Sequence, residues 1–184
     1  VRQKFAAPRR TVFGEGGATP GRQTWGEAGK ALVGRAEERG VEWRQRVELG
    51  GSEDMEGDAE AKVVGREEIP AEMIGRDIGP TTIELIKGTV GSARTSFWNG
   101  PMGVFEQPLF AKGTMAMAQA VANVDGVTVV GGGESVEAIK ASGVAGRISH
   151  TSTGGGASLE FIPGAALPGV GARQRYCSVR FPTQ

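Results

Sequence analysis

One cysteine, Cys177, and one histidine, His150, are all that this 184-residue chain provides. A lone thiol cannot close an internal disulfide and a single imidazole cannot build a multi-histidine metal centre, so a reducing compartment is expected. No apolar run approaches the length of a membrane span, and no signal-peptide core is present, so no membrane partner is expected. Net charge is absent too: 21 Lys and Arg balance 21 Asp and Glu. The unbalanced bases sit at opposite ends, with Arg2, Lys4, Arg9 and Arg10 at one and Arg173, Arg175 and Arg180 at the other. A nucleic-acid surface would gather such charges on one face with aromatics between them, so no nucleic-acid partner is expected. An initiator methionine is missing as well, and Val1 in its place reads as the start of a processed or incomplete sequence.

Glycine is abundant instead, at 31 residues, without the strict period of a fibrous chain. With 39% hydrophobic residues the chain can bury one ordinary core. Residues 1–25 show no stable period and read as irregular, 26–170 read as one α/β domain, and 171–184 read as an irregular tail. Ala28, Leu32 and Ala36 predict a helix from Glu27 to Arg39, stopped by Gly40. Glu53, Asp54, Glu56, Asp58 and Glu60 form an acidic run without the order of a calcium loop, so a solvated loop is expected. Lys62 to Gly65 is a short strand candidate. Asp77-Ile78-Gly79-Pro80 reads as a turn, after which Thr81 or Thr82 can cap a helix carrying Ile83 and Ile86.

Three segments then repeat one design: a β-branched or aromatic run, a glycine-rich bend and a helix-like stretch. Thr95 to Trp98 ends at Asn99-Gly100-Pro101, within FWNGPMGVFE. Pro108 to Ala122 follows as a helix with Phe110, Thr114, Met117 and Val121 on one stripe, which makes Met115 and Met117 core filling. Val127 to Val130 ends at Gly131-Gly132-Gly133, and Ser135 to Ala141 follows as a helix with Val136 and Ile139 inward. A last strand near Arg147 to Ser149 precedes Gly154-Gly155-Gly156. Strands alternating with helices at this spacing predict parallel βαβ units, with both triplets and the Asn99 loop on one rim of the sheet.

Bare glycine backbone at a helix start offers unpaired amides and the positive end of the helix dipole to an anion. Glu134 is placed to hold magnesium and Ser135 to bond a phosphate oxygen. Tight helix–strand packing also demands glycine, so one triplet alone says little; two on one rim would suit a phosphoryl group passing between anionic partners. Glycines flanked by Ser and Thr also make a hinge. His150 reads as a structural imidazole rather than a general base, because metal-assisted transfer to an ionised acceptor needs none. Between Trp98 and Val170 the cations are Lys112, Lys140 and Arg147, and periodicity puts both lysines well inside helices. The rim thus reads as a nucleotide shelf short of the cations that neutralise a migrating phosphoryl group. No G-x-G-x-x-G opens a helix after a first strand, which counts against a dinucleotide-dependent dehydrogenase.

WNGPMGVFE at 98–106, FAKGT at 110–114, VVGGGES at 129–135, SHTSTGGGASLE at 149–160 and LPGV at 167–170 resemble, in that order, the C-terminal half of phosphoglycerate kinase. GRDIGPTTIELIK at 75–87 extends the resemblance, which covers a little over two-thirds of the chain. It implies an α/β fold: a Rossmann-like parallel sheet with flanking helices, part of the C-terminal domain of a two-domain kinase. The activity implied is reversible phosphoryl transfer from 1,3-bisphosphoglycerate to ADP, giving ATP and 3-phosphoglycerate. ATP or ADP with magnesium, and nucleotide and phosphoglycerate substrates, are implied with it. A monomer is expected, in the cytoplasm or alternatively the plastid stroma.

By this resemblance Gly79 lines the adenosine pocket, Asn99, Gly100, Met102 and Phe105 surround the nucleotide, and Glu106 bonds the ribose hydroxyls. Gly131, Gly132 and Gly133 lie under the phosphates, Glu134 and Ser135 handle magnesium and phosphate, and Gly154, Gly155 and Gly156 face the transferring group. Ser152 and Thr153 match the hinge. Glu134 stands where the family more usually has aspartate. The family's basic N-terminal domain and its GGAK loop have no counterpart here, Gly16-Gly17-Ala18-Thr19 being at most an echo. The chain is therefore expected to be an incomplete kinase sequence of marginal stability, with sheet edge and apolar helix surface uncovered. The alternative is an inactive nucleotide-binding or interaction module derived from such a kinase.

Overall fold

The computed structural model describes residues 31–172, apart from 32, 37, 43, 53–60, 66, 67, 71 and 72. The irregular head, the acidic run, Cys177 and nearly all of the 171–184 tail lie outside the described residues. Of the first predicted helix, residues 31, 33–36 and 38 are helical. Gly40 terminates it with a left-handed φ of 61°, and the Val41 amide reaches back to the Ala36 carbonyl at 2.8 Å. That backward bond closes the helix end as a Schellman turn does, and only glycine takes the required φ at no cost.

Strands β1 (Glu48–Ser52), β2 (Lys62–Gly65) and β3 (Ile74–Ile78) form one three-stranded sheet in the order β2-β1-β3. Both pairings are antiparallel, with Glu48 opposite Gly65 and Leu49 opposite Ile78. The structure thus adds an antiparallel sheet to a part of the chain where the sequence offered Lys62 to Gly65 as the one strand candidate. Residues 53–61, which join β1 to β2, are too few for the crossover that a parallel pair needs. The structure also corrects the Asp77-Ile78 turn: both residues belong to β3, and the chain leaves the sheet only at Gly79.

Helix α1 (Pro80–Gly91) starts on a proline, whose missing N–H costs nothing at a helix N-terminus. Neither Thr81 nor Thr82 caps it. The Glu48 carboxylate instead accepts the Thr81 amide. Thr82 is buried, and its hydroxyl donates to the Glu48 carbonyl at 3.2 Å and accepts the Val47 amide at 3.1 Å. One side chain thereby ties α1 to β1. Ile86 is buried and Ile83 packs on the core's edge, as their spacing predicts.

The second sheet is parallel, in the order β4 (Thr95–Asn99), β5 (Val127–Gly131), β6 (His150–Ser152). A short 3-10 turn at Pro108–Phe110 and helix α2 (Lys112–Ala122) lie between β4 and β5, and α3 (Gly133–Ala141) lies between β5 and β6. The predicted stripe holds: Phe110, Thr114, Met117 and Val121 are all buried. The strand placed near Arg147 to Ser149 lies slightly later, because Ala145–Arg147 forms a 3-10 turn first. Trp98, Val130, Met117, Val121, Val136 and Ile139 make the centre of one apolar cluster that also takes in Ile78, Ile86 and Val90. A buried cluster of this kind, spanning α1, α2, α3 and both sheets, is the main source of stability.

Helix α4 (Gly155–Phe161) follows β6 and buries no side chain. Leu159, Phe161, Ile162 and Val170 are exposed, Phe161 to 68%. Exposed apolar side chains are not confined to this end: Val63 of β2 and Ile74 of β3 are exposed as well.

Candidate functional site

Parallel register brings three strand ends level. Asn99 of β4 stands opposite Gly131 of β5, and Gly131 opposite Ser152 of β6. The chain then turns at Gly132 with φ 96° and ψ 137°, and its amide bonds the Ser152 carbonyl at 2.8 Å. A side chain would be strained at that φ, so glycine is required there. Helix α3 opens immediately after, with Val136 donating the first intrahelical bond to the Gly132 carbonyl at 3.0 Å. The first-turn amides of Gly133, Glu134 and Ser135 precede that bond, and no side chain caps the turn.

The two glycine triplets and the Asn99 loop meet. A Cβ on Gly155 would stand 2.6 Å from Asn99 Oδ1 and 2.9 Å from the Gly132 Cα. A Cβ on Gly132 would stand 2.7 Å from the same Asn99 oxygen. Glycine is thus needed at 132 and 155 for the loops to touch, and the amide oxygen of Asn99 sits between them. The single rim predicted from the sequence is formed in this way.

Other predicted site residues fall around this junction. Ser135 is 1% exposed, and its hydroxyl accepts the Gly100 amide at 2.7 Å, joining the start of α3 to the loop after β4. Gly100 takes φ 92° there, and its carbonyl accepts Trp98 Nε1–H at 2.7 Å. Met102 and Phe105 pack against the apolar cluster, and Glu106 is exposed. Gly131 is buried in β5, with Phe97 across the face where a Cβ would stand. Gly133 and Gly156 have open space there, and Gly154 is exposed. Gly79 is buried, and Glu48 Cγ lies 2.5 Å from where its Cβ would be. His150 is exposed on the last strand rather than packed inside.

Glu134 is half-buried in the first turn of α3, where a negative charge suits the helix dipole. Among the described residues no three His, Cys, Asp or Glu side chains gather as a metal cluster. Magnesium commonly binds through one or two carboxylates completed by phosphate oxygens and water, so the Glu134 carboxylate in a first turn that no side chain caps fits it. Two of the three cations stand away from the glycine bends. Lys140 is in the last turn of α3, Arg147 bonds the Asn123 side chain, and Lys112 is the first residue of α2 rather than inside it.

Two residues outside the predicted set organise the loop after β4. Thr114 of α2 accepts the Met102 and Gly103 amides on one hydroxyl, at 3.1 and 3.2 Å. Asp77 of β3, 5% exposed, accepts the Gly113 amide at 2.9 Å and its neighbour Ile78's amide at 2.9 Å. Burial pushes the Asp77 carboxyl up to about 6, against the opposing pull of those two bonds and of Lys112. In the sequence Thr114 was one polar residue in an apolar stripe, and that was its signal. Among the described residues no helix is long and apolar enough to cross a membrane.

Known proteins resemble this chain in both sequence and fold. Residues 19–165 match the family model for phosphoglycerate kinase. The chain is 52% identical over 145 residues to the phosphoglycerate kinase of Acidobacterium capsulatum, covering 78% of this chain and 36% of that one. It is 50% identical over 139 residues to the enzyme of Moorella thermoacetica, covering 76% and 35%. The solved phosphoglycerate kinase of Coxiella burnetii superimposes with a TM-score of 0.73 at 34% identity, over 77% of this chain and 37% of that one. The structure from Pyrococcus horikoshii gives 0.68 at 32% identity. The chain spans about a third of the length of the curated relatives it matches, 36% for the first. With the family model matched over residues 19–165 and that fold shared, this chain belongs to the phosphoglycerate kinase family.

Proposed function

We propose that this chain supplies the nucleotide-binding half of a phosphoglycerate kinase, whose reaction transfers a phosphoryl group reversibly from 1,3-bisphosphoglycerate to ADP. The observation that carries the reading is the contact of the Asn99 loop with both glycine bends at Gly132 and Gly155, at the open first turn of α3. Glycine backbone at such a turn receives phosphate through amides and the helix dipole. On this reading the Gly131 to Gly133 bend lies under the phosphates, and Asn99, Gly100, Met102, Phe105 and Glu106 take the nucleoside, with Gly79 beyond them. Gly154 to Gly156 face the transferring group. Glu134 holds magnesium, which when bound offsets the charge of the phosphates.

A second reading, of a nucleotide-binding module without catalysis of its own, draws support from the placement of Lys140 and Arg147 away from the rim. Transfer depends on cations around the migrating group, so those would come from outside this stretch. Calorimetric titration of the 184-residue chain with ADP, with and without magnesium, tests the reading, paired with a coupled kinase assay. Weak ADP binding with negligible turnover is expected. Failure to bind ADP would overturn the nucleotide site, and robust turnover would overturn the assignment of only half the machinery.

A further inference from the structure

We infer that Thr114 is a positioning residue for the nucleoside end of the site, holding the Met102–Gly103 backbone through its hydroxyl; this rests on the nucleotide-binding reading above. Thr114 is 0% exposed and sits in the first turn of α2. Threonine is an ordinary core filler on a helix, but its hydroxyl must be satisfied when buried. Here Oγ1 faces the loop and accepts two successive amides, from Met102 at 3.1 Å and Gly103 at 3.2 Å. The next amide, of Val104, bonds the Arg76 carbonyl of β3 at 2.8 Å.

Three consecutive amides are therefore held by α2 and β3, not by the loop itself. Close approach reinforces the hold: a Cβ on Gly103 would meet the Arg76 carbonyl oxygen at 2.5 Å and Asp77 Oδ1 at 2.6 Å. The loop is packed against β3 at Gly103 and bonded to α2 through Thr114. Gly100 at its start is bonded to Ser135 at the opening of α3. One short loop thus couples α2, β3 and α3, and its orientation sets where Met102 and Phe105 present their surfaces to a base or sugar.

Valine has the shape of threonine without the acceptor, and serine keeps the acceptor without the methyl. Thr114→Val, Thr114→Ser and the unaltered full chain are compared by ADP titration, by titration with inorganic pyrophosphate, and by hydrogen exchange at the Met102 and Gly103 amides. T114V is expected to speed exchange at both amides and weaken ADP by about 10-fold, the scale of one lost hydrogen bond. Pyrophosphate binding stays unchanged, because the loop serves the nucleoside end, and T114S restores ADP affinity and exchange. Unchanged exchange, unchanged ADP affinity, an equal loss of pyrophosphate, or no rescue by serine would each overturn the inference. Should T114V fail to fold, Thr114→Ala compared with T114S makes the same distinction. If the unaltered chain binds no ADP, the nucleotide reading falls and this inference with it, an outcome told apart because it needs no variant.

Discussion

The Ser135 hydroxyl accepts the Gly100 amide at 2.7 Å, in a pocket that leaves Ser135 only 1% exposed. The first turn of α3 and the bend after β4 are joined by this one bond, which fixes the spacing between two parts of the rim. Replacing Ser135 with alanine removes the acceptor and leaves a partly buried N–H unpaired. The expected cost is about 1–2 kcal/mol of folding stability, read from urea denaturation. A loss below a few tenths of a kcal/mol would show that water takes the place of the hydroxyl.

Gly155 and Gly156 are neighbours in one triplet with opposite surroundings. At Gly155 a Cβ would be 2.6 Å from Asn99 Oδ1 and 2.9 Å from the Gly132 Cα; at Gly156 nothing lies within 4 Å. Gly155→Ala therefore forces the two glycine bends apart, at a cost of roughly 1–3 kcal/mol, and weakens ADP binding. Gly156→Ala, inside α4, is neutral or stabilising by up to about 1 kcal/mol, since alanine is the better helix former. Thermal melts and ADP titrations of the pair check this, and equal behaviour of the two variants would refute the contact.

How much of this was legible without coordinates depended on the element. Thr95–Asn99 and Val127–Gly131 are β-branched or aromatic runs closed by glycine, and both are strands within a residue of their expected ends. Strand β1 was hidden because its sequence, ELGGS, holds two glycines, which ordinarily speak against a strand. The structure explains them: a Cβ on Gly51 would meet the Ile74 carbonyl oxygen at 2.4 Å, beside a bulge in the β1–β3 register. Proline after Gly79 made Asp77-Ile78 read as a turn, although the strand runs through both. At the site, glycine bends announced themselves locally. The grip of Asp77 on Gly113 spans 36 positions, and no local pattern marks a pair so far apart.

Asp77 gives a pH dependence whose direction follows from its burial. Desolvation raises its carboxyl from 3.8 to about 6, so the folded chain holds this proton more tightly than the unfolded chain does. The resulting stabilisation is complete below pH 3.8 and is lost as pH rises toward 6. Other carboxylates impose their own slopes, which the variant Asp77→Asn shares. The stability of the unaltered chain minus that of D77N should therefore fall by roughly 2–3 kcal/mol between about pH 4 and pH 7. Urea denaturation across that range measures it. A flat difference would mean that Asp77 is ionised in the fold at its ordinary value, held by the Gly113 and Ile78 amides.

Glu134 separates the contribution of a metal from that of the backbone. It is the one acid in the first turn of α3, where its charge is favoured by the helix dipole yet repels any phosphate that approaches the same amides. A dication between carboxylate and phosphate would reverse that repulsion into attraction, since both would then be its ligands. Glu134→Gln keeps the shape and removes the charge. Without magnesium, E134Q should bind ADP as well as the unaltered chain or slightly better. With magnesium, the gain in ADP affinity shown by the unaltered chain should shrink by about 10-fold, the order expected for one lost charge-assisted ligand. Glu134→Asp tests the reach of the side chain separately: retained coupling shows that charge suffices, and loss shows that the extra methylene sets the distance. If E134Q preserved the full magnesium effect, the metal would be held by phosphate and water alone, and Glu134 would serve only the helix end.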